Sequence, residues 1–253
     1  MSAQRSAYER RVAELAASLG EDHPKVAIAL NNLAVVQASE GRFQDAKESL
    51  RRALSIEELA LGHDHPNCAI RCNNLGLVLR SAGDLWGAKV CLERAIEIGE
   101  AVWGAGDPKV AASLNNLGLV FQDLEDFQAA KECLERALET DRTWFGHTHP
   151  RVAVRLNNLG LVLKTLGRFQ EASQYYQRAR EIWDHAYGPH HPNSAAALNN
   201  LGMAFKAQGD PSQAAICLEE ALKILQTSQG LGSPHARIVK DNLEGLGSAR
   251  SDR

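Results

Sequence analysis

The chain has 253 residues, 44% of them hydrophobic and 23% charged, with a formal net charge of −3. That balance suits a water-soluble protein and excludes the basic excess of a general nucleic-acid binder. No apolar run approaches the roughly 18 residues of a membrane span, and the opening MSAQRSAYERRVAELAASLG lacks the apolar core and cleavage site of a secretory leader.

Along the chain, one spacing organises everything. Pro24, Pro66, Pro108, Pro150, Pro192 and Pro234 recur every 42 residues, as do Gly20, Gly62, Gly104, Gly146, Gly188 and Gly230, and Asn32, Asn74, Asn116, Asn158, Asn200 and Asn242. Three columns in one register mark an internal repeat. A leading helix is expected near Ala3–Leu19. Each unit then opens a first helix at its proline, which suits the first helical position because no intrahelical acceptor awaits its missing N–H. The residues before it, His23, His65, Asp107, His149, His191 and Ser233, stand in the N-cap place, where Asp and Ser are good caps. A turn follows at Gly41, Gly83, Gly167 and Gly209, with Glu125 breaking the column. The second helix carries Ala-x3-Leu-x2-Ala, as in Ala46/Leu50/Ala53 and Ala88/Leu92/Ala95, and ends at the first glycine column, where glycine accepts the left-handed conformation. The expected divisions are a capping helix over 1–22, units at 23–64, 65–106, 107–148, 149–190 and 191–230, and a closing helix with a disordered tail over 231–253, about 12 helices in all. Lys240 and Asp241 replace the usual Leu-Asn of the closing helix. This suits either a capping end or the edge of a longer array.

The pattern Leu-x-x-Leu-Gly…Gly…Ala-x3-Leu-x2-Ala resembles the tetratricopeptide repeat. The 42-residue form with GHDHP and LNNLG is similar to the repeats of kinesin light chains and of sensor domains in bacterial signalling ATPases, over nearly the whole chain. The resemblance implies an all-α, right-handed superhelical solenoid whose first helices line a concave ligand groove.

A helical wheel at 100° per residue assigns faces to the third unit. Leu114, Leu117, Gly118 and Phe121 gather on the packing side; Ala112, Asn115, Asn116, Leu119, Gln122 and Asp123 lie opposite. In the implied groove, an apolar column of Val35, Leu77, Leu119, Leu161 and Met203 is bordered by two amide columns. One is Asn31, Asn73, Asn115, Asn157 and Asn199; the other is Asn32, Asn74, Asn116, Asn158 and Asn200. An amide offers a donor and an acceptor, so it can pair with the backbone of an extended peptide. First helices lie roughly 8–10 Å apart and a strand advances roughly 3.3 Å per residue, so one asparagine per unit meets the peptide at about every third residue. Kinesin light chains hold cargo peptides with groove asparagines, and by resemblance Asn116 leads the candidates. On this reading alanine at Asn116 and Asn158 abolishes peptide binding with little loss of helicity. The same amides can instead bridge neighbouring helices and satisfy one another, with no ligand. Arg80, Lys164 and Lys206 share a groove-edge position, with Arg71 and Arg155 nearby, a set that favours an acidic or hydrophobic peptide segment.

Other constellations carry less. The pairs His63/His65, His147/His149 and His190/His191 invite a metal, but Asp107 and Ser233 take the histidine's place where its column continues, which fits capping. Cys91, Cys133 and Cys217 share one repeat position with Ser49 and Tyr175 and read as packing residues; Cys68 and Cys72, four apart, read likewise. No CxxC occurs, so reduced thiols in a cytoplasmic protein are expected. Arg52, Arg94, Arg136 and Arg178 form a basic column, with Glu97, Glu139 and Glu181 three residues after the last three. The connector Gly104–Asp107 is a candidate hinge. Without GxxxxGK[ST], HExxH or GxSxG, no enzyme and no cofactor is expected. The reading is a non-catalytic scaffold for a protein or peptide partner, neither nucleic acid nor membrane, as a monomer or weakly self-associating. Two alternatives stay open: the sensor module of a larger signalling ATPase or caspase-like protein, and a self-assembling spacer.

Overall fold

The computed structural model describes residues 3–229 and 233–247, and every described element is an α-helix. In order these are α1 (Ala3–Leu19), α2 (Pro24–Ser39), α3 (Phe43–Leu61), α4 (Pro66–Ser81), α5 (Leu85–Trp103), α6 (Pro108–Asp123), α7 (Phe127–Phe145), α8 (Pro150–Thr165), α9 (Phe169–Tyr187), α10 (Pro192–Ala207), α11 (Pro211–Gln229) and α12 (Pro234–Gly247). Gly230 and the tail beyond Gly247 lie outside the described residues. The helices form two compact units, Met1–Asp126 with α1–α6 and Phe127–Arg253 with α7–α12. The division falls between Asp126 and Phe127.

Each helix boundary has a local cause. Prolines open α2, α4, α6, α8 and α10, and the preceding residue turns its side chain back onto the helix. His23, His65, His149 and His191 accept the N–H two residues on through Nδ1 at 3.1–3.2 Å, and Asp107 does so through its carboxylate at 2.7 Å. Ser233 Oγ accepts from Ala236 N at 3.2 Å. The imidazoles also stack on the residue closing the previous helix: His149 on Phe145 and His191 against Tyr187, ring centroids 4.6 Å apart. Where Asp107 caps instead, Lys109 covers the Trp103 ring at 4.3 Å. The turns between paired helices place Gly41, Gly83, Gly167 and Gly209 at positive φ, and Glu125 adopts the same conformation at φ 62°.

Within a pair the helices pack on the alanine-leucine stripe. Ala46, Ala88, Ala130, Ala172 and Ala214 are fully buried, with Leu50, Leu92, Leu134, Tyr176 and Leu218 beside them. The small residue of the first helix sets the approach: a Cβ on Gly76 would stand 2.6 Å from Leu92 Cγ, and one on Gly160 2.6 Å from Tyr176 Cε1.

Between pairs, each second helix packs on the next first helix, α3 on α4, α5 on α6, α7 on α8, α9 on α10 and α11 on α12. At two of these contacts a carboxylate meets an arginine at the same repeat positions, Glu57 with Arg71 and Asp141 with Arg155. Glu57 and Asp141 are fully buried and bind Arg71 and Arg155 at 2.9 Å each. Arg71 and Arg155 are therefore core ion-pair partners, 7% and 6% exposed, and not groove-edge cations. Burial lowers the Arg155 pKa, and Asp141 opposes that shift. The wheel could not see this, because the carboxylates lie on another helix. The basic column also departs from its expected i,i+3 pairs: Arg178 does bind Glu181, at 2.8 Å, but Arg94 reaches Glu58 and the carbonyl of His63.

Two substitutions test this core. Arg155→Ala strands a buried carboxylate and is expected to cost about 3–5 kcal/mol in urea unfolding. Tyr176→Phe keeps the ring and removes a buried hydroxyl that has no hydrogen-bond partner, so stability is expected to hold or rise by up to about 1 kcal/mol.

Candidate functional site

First helices of successive pairs touch one another, α4 with α6 in the first unit and α10 with α8 and α12 in the second; among the described residues second helices make no comparable contact. The first helices thus form the inner side of each stack, and the asparagine columns meet there.

In the first unit the amides bond one another in a continuous, one-directional chain. Asn115 Nδ2 donates to Asn116 Oδ1 at 3.4 Å, and Asn116 Nδ2 donates across the pair boundary to Asn73 Oδ1 at 2.9 Å. Asn73 donates to Asn74 at 3.3 Å, Asn74 to Asn31 at 2.8 Å, and Asn31 to Asn32 at 3.5 Å. Ser113 Oγ takes the second lone pair of Asn73 Oδ1 at 3.2 Å. The second column therefore ties each first helix to the one before it, as the bridging alternative requires. Asn115 is only 5% exposed, so the wheel's groove face overstated its access.

The second unit keeps the rungs and opens the pairs. Asn200 donates to Asn157 at 2.9 Å and Asn242 to Asn199 at 2.8 Å. Yet neither Asn157 nor Asn199 donates to its neighbour, so among the described residues their Nδ2 groups lack an acceptor, and Asn200 Oδ1 lacks a donor.

A sequence profile described as tetratricopeptide repeat matches residues 7–58, 38–101, 109–183 and 156–227. The chain belongs to the tetratricopeptide repeat family. Among solved structures it is similar to BtubC (BKLC) from P. vanneervenii, with 26% identity, a TM-score of 0.76, and coverage of 90% of this chain and 91% of that one. It is also similar to a putative kinesin light chain from Podosopora anserina with nearly identical TPR-like repeats, at 24% identity and a TM-score of 0.70, covering 82% of this chain and 98% of that one. YrrB, described as a TPR protein with an unusual peptide-binding site, shares the fold at 20% identity and a TM-score of 0.53 over 94% of this chain and 99% of that one. No curated protein matches the chain by sequence. The chain is thus a tetratricopeptide array of the kinesin-light-chain-like type, a fold that serves as a protein-interaction scaffold.

The array presents more apolar surface than the wheel assigned. Besides Val35, Leu77, Leu119, Leu161 and Met203, the residues seven positions earlier, Ile28, Ile70, Ala112, Val154 and Ala196, with Ile238 at the same repeat position of α12, form a second column on the far side of the amides. Ile28 is 48% exposed, Ile238 53% and Val35 58%. Large aliphatics left in water at one repeat position are the signal that could have found this column from sequence.

The three cations expected at a groove edge differ. Arg80 is held by Asp123 through two bonds of 2.5 and 3.3 Å, and Lys206 Nζ donates to the Gly245 carbonyl at 3.2 Å. Lys164 has no carboxylate partner among the described residues, and burial pushes its pKa down. No group of three or more His, Cys, Asp or Glu converges on a metal position among the described residues. No disulfide joins the cysteines among the described residues; burial pushes the Cys72 thiol up to a pKa of about 12 and raises those of Cys68, Cys91 and Cys217, which favours the thiol over the thiolate at these four. No described helix is long and apolar enough to cross a membrane.

Because Lys164 carries its charge half-buried and unpaired, Lys164→Met is expected to raise the melting temperature at pH 7. The gain should shrink as pH rises through the lowered lysine pKa toward 10.5, since the neutral amine no longer bears the burial penalty. Thermal melts of both proteins across that range measure the difference.

Proposed function

We propose that this tetratricopeptide array binds an extended peptide segment of a protein partner along its first helices, and that amides of the second unit hold the peptide backbone. The observation that carries the reading is the contrast between the units. In the first unit the chain of amides occupies its own donors and acceptors, including one N–H and the carbonyl of Asn116. In the second, Asn157 and Asn199 each keep a donor, and Asn200 keeps an acceptor, beside apolar side chains at Val154, Leu161, Met203 and Ile238. A buried or half-buried amide gains from a partner, and a peptide backbone supplies both kinds. Lys164 adds an unpaired cation on the same helix as Asn157 and Asn158, which suits a carboxylate in the bound segment.

The test must separate the rungs from ligand contacts. Asn157→Asp and Asn199→Asp keep the acceptors that receive Asn200 and Asn242 and remove only the open N–H groups; the chain already carries this change at Asp241. With a peptide obtained by display selection on the wild-type chain, the double variant is expected to lose at least about tenfold in affinity with an unchanged helical signal. Unchanged affinity in a folded double variant would sink the backbone-holding role. Asn116→Ala is expected to lower thermal stability with a smaller effect on affinity.

A further inference from the structure

Four of the first helices share a capping bond that only an unprotonated imidazole can make. Nδ1 of His23, His65, His149 and His191 accepts the backbone N–H of Lys25, Asn67, Arg151 and Asn193 at 3.1–3.2 Å. An accepting Nδ1 leaves the ring proton on Nε2, so the bond also fixes the tautomer. Each histidine stands in the connector between one helix pair and the next, at the repeat position that Asp107 and Ser233 occupy before α6 and α12. We infer that the four histidine caps form a pH-sensitive device: protonation of their imidazoles releases the opening turns of α2, α4, α8 and α10 together, while those of α6 and α12 stay capped.

Protonation turns the Nδ1 acceptor into a donor that faces another donor. It also puts positive charge at a helix N-terminus, the end where the backbone dipole disfavours it. The unfolded chain has no such bond to lose. The stability supplied by the four bonds is therefore present above the ordinary imidazole value of about 6.5 and is lost as pH falls through it. A carboxylate cap such as Asp107 ordinarily titrates at about pH 4, and a hydroxyl such as Ser233 keeps its acceptor throughout.

Neighbouring charges differ from step to step and supply no common response. His23 has Glu21, Asp22 and Lys25, with Arg52 on α3 bound to Glu21. His65 has His63, Asp64 and Cys68, with Glu57 and Glu58 on α3 and Arg94 on α5 bound to Glu58. His149 has His147 and Arg151, with Asp141 and Arg142 on α7 and Arg178 on α9 in the repeat position of Arg94. His191 has His190, with Asp184 and Tyr187 on α9 and Glu220 on α11 in that same position. What the four share is the bond itself.

The chain carries its own control. Solvent exchange of the Lys25, Asn67, Arg151 and Asn193 backbone amides, corrected for its intrinsic pH dependence, is followed by NMR from about pH 7.5 to about pH 5.5, either side of the ordinary imidazole value. Protection is expected to fall by at least about fivefold at all four, the size of one lost cap, and to hold at Lys109, which Asp107 caps. A variant carrying His23→Asp, His65→Asp, His149→Asp and His191→Asp installs the α6 cap at every step and keeps His63, His147, His185, His190 and His235. Over the same interval its melting temperature is expected to fall less than that of the wild type. Protection kept at any of the four amides, an equal loss at Lys109, or equal melting losses in a folded variant would overturn the inference. If the variant does not fold, the exchange comparison in the wild-type chain decides alone.

Discussion

The contact on which the array depends is the one between a second helix and the first helix of the next pair. A helix pair cannot bury its apolar face alone, so stacking supplies the core, and any residue at that contact must fit its opposite number in volume and charge. At two of these contacts the match is a buried ion pair, Glu57–Arg71 and Asp141–Arg155, while the equivalent second-helix positions elsewhere carry Gly99, Trp183 and Leu225. The net stabilisation from the ion pairs is modest, because desolvating both charges offsets much of their attraction.

The amide rungs act on the same boundary from the other side of the first helices. A half-buried asparagine costs free energy without a partner, and the partner here is an asparagine from the adjacent pair. Stacking and the rungs therefore favour the same register. Where the bonds between adjacent asparagines are also made, as in the first unit, the amides form a continuous chain ending at Asn32; where they are not, donors and an acceptor remain for something else. One sequence motif, LNNLG, thus has two local outcomes.

Much of this was legible in the sequence. The proline and glycine columns located most helix boundaries among the described residues because they act through their own backbone: a missing N–H, a positive φ. The histidine column was also legible as caps rather than ligands, once Asp107 and Ser233 were seen in the same place. What stayed hidden depended on neighbours from other helices. Arg71 and Arg155 looked like surface cations until Glu57 and Asp141 were found buried against them. Asn115 sat on the polar side of its wheel and is nevertheless covered. Nor does a single-helix wheel reveal that Ile28, Ile70 and Val154 form a second apolar column, because it ranks faces within a helix and says nothing of which side the next helix leaves open.

The most direct measurement is a titration of the side-chain amide resonances of a 15N-labelled chain with a selected peptide, followed by their hydrogen exchange. The account predicts that the Nδ2 groups of Asn157 and Asn199 shift and become protected on binding, while those of Asn31 and Asn73, already bonded within the array, change little. Equal perturbation of both sets, or changes confined to the first unit, would contradict it.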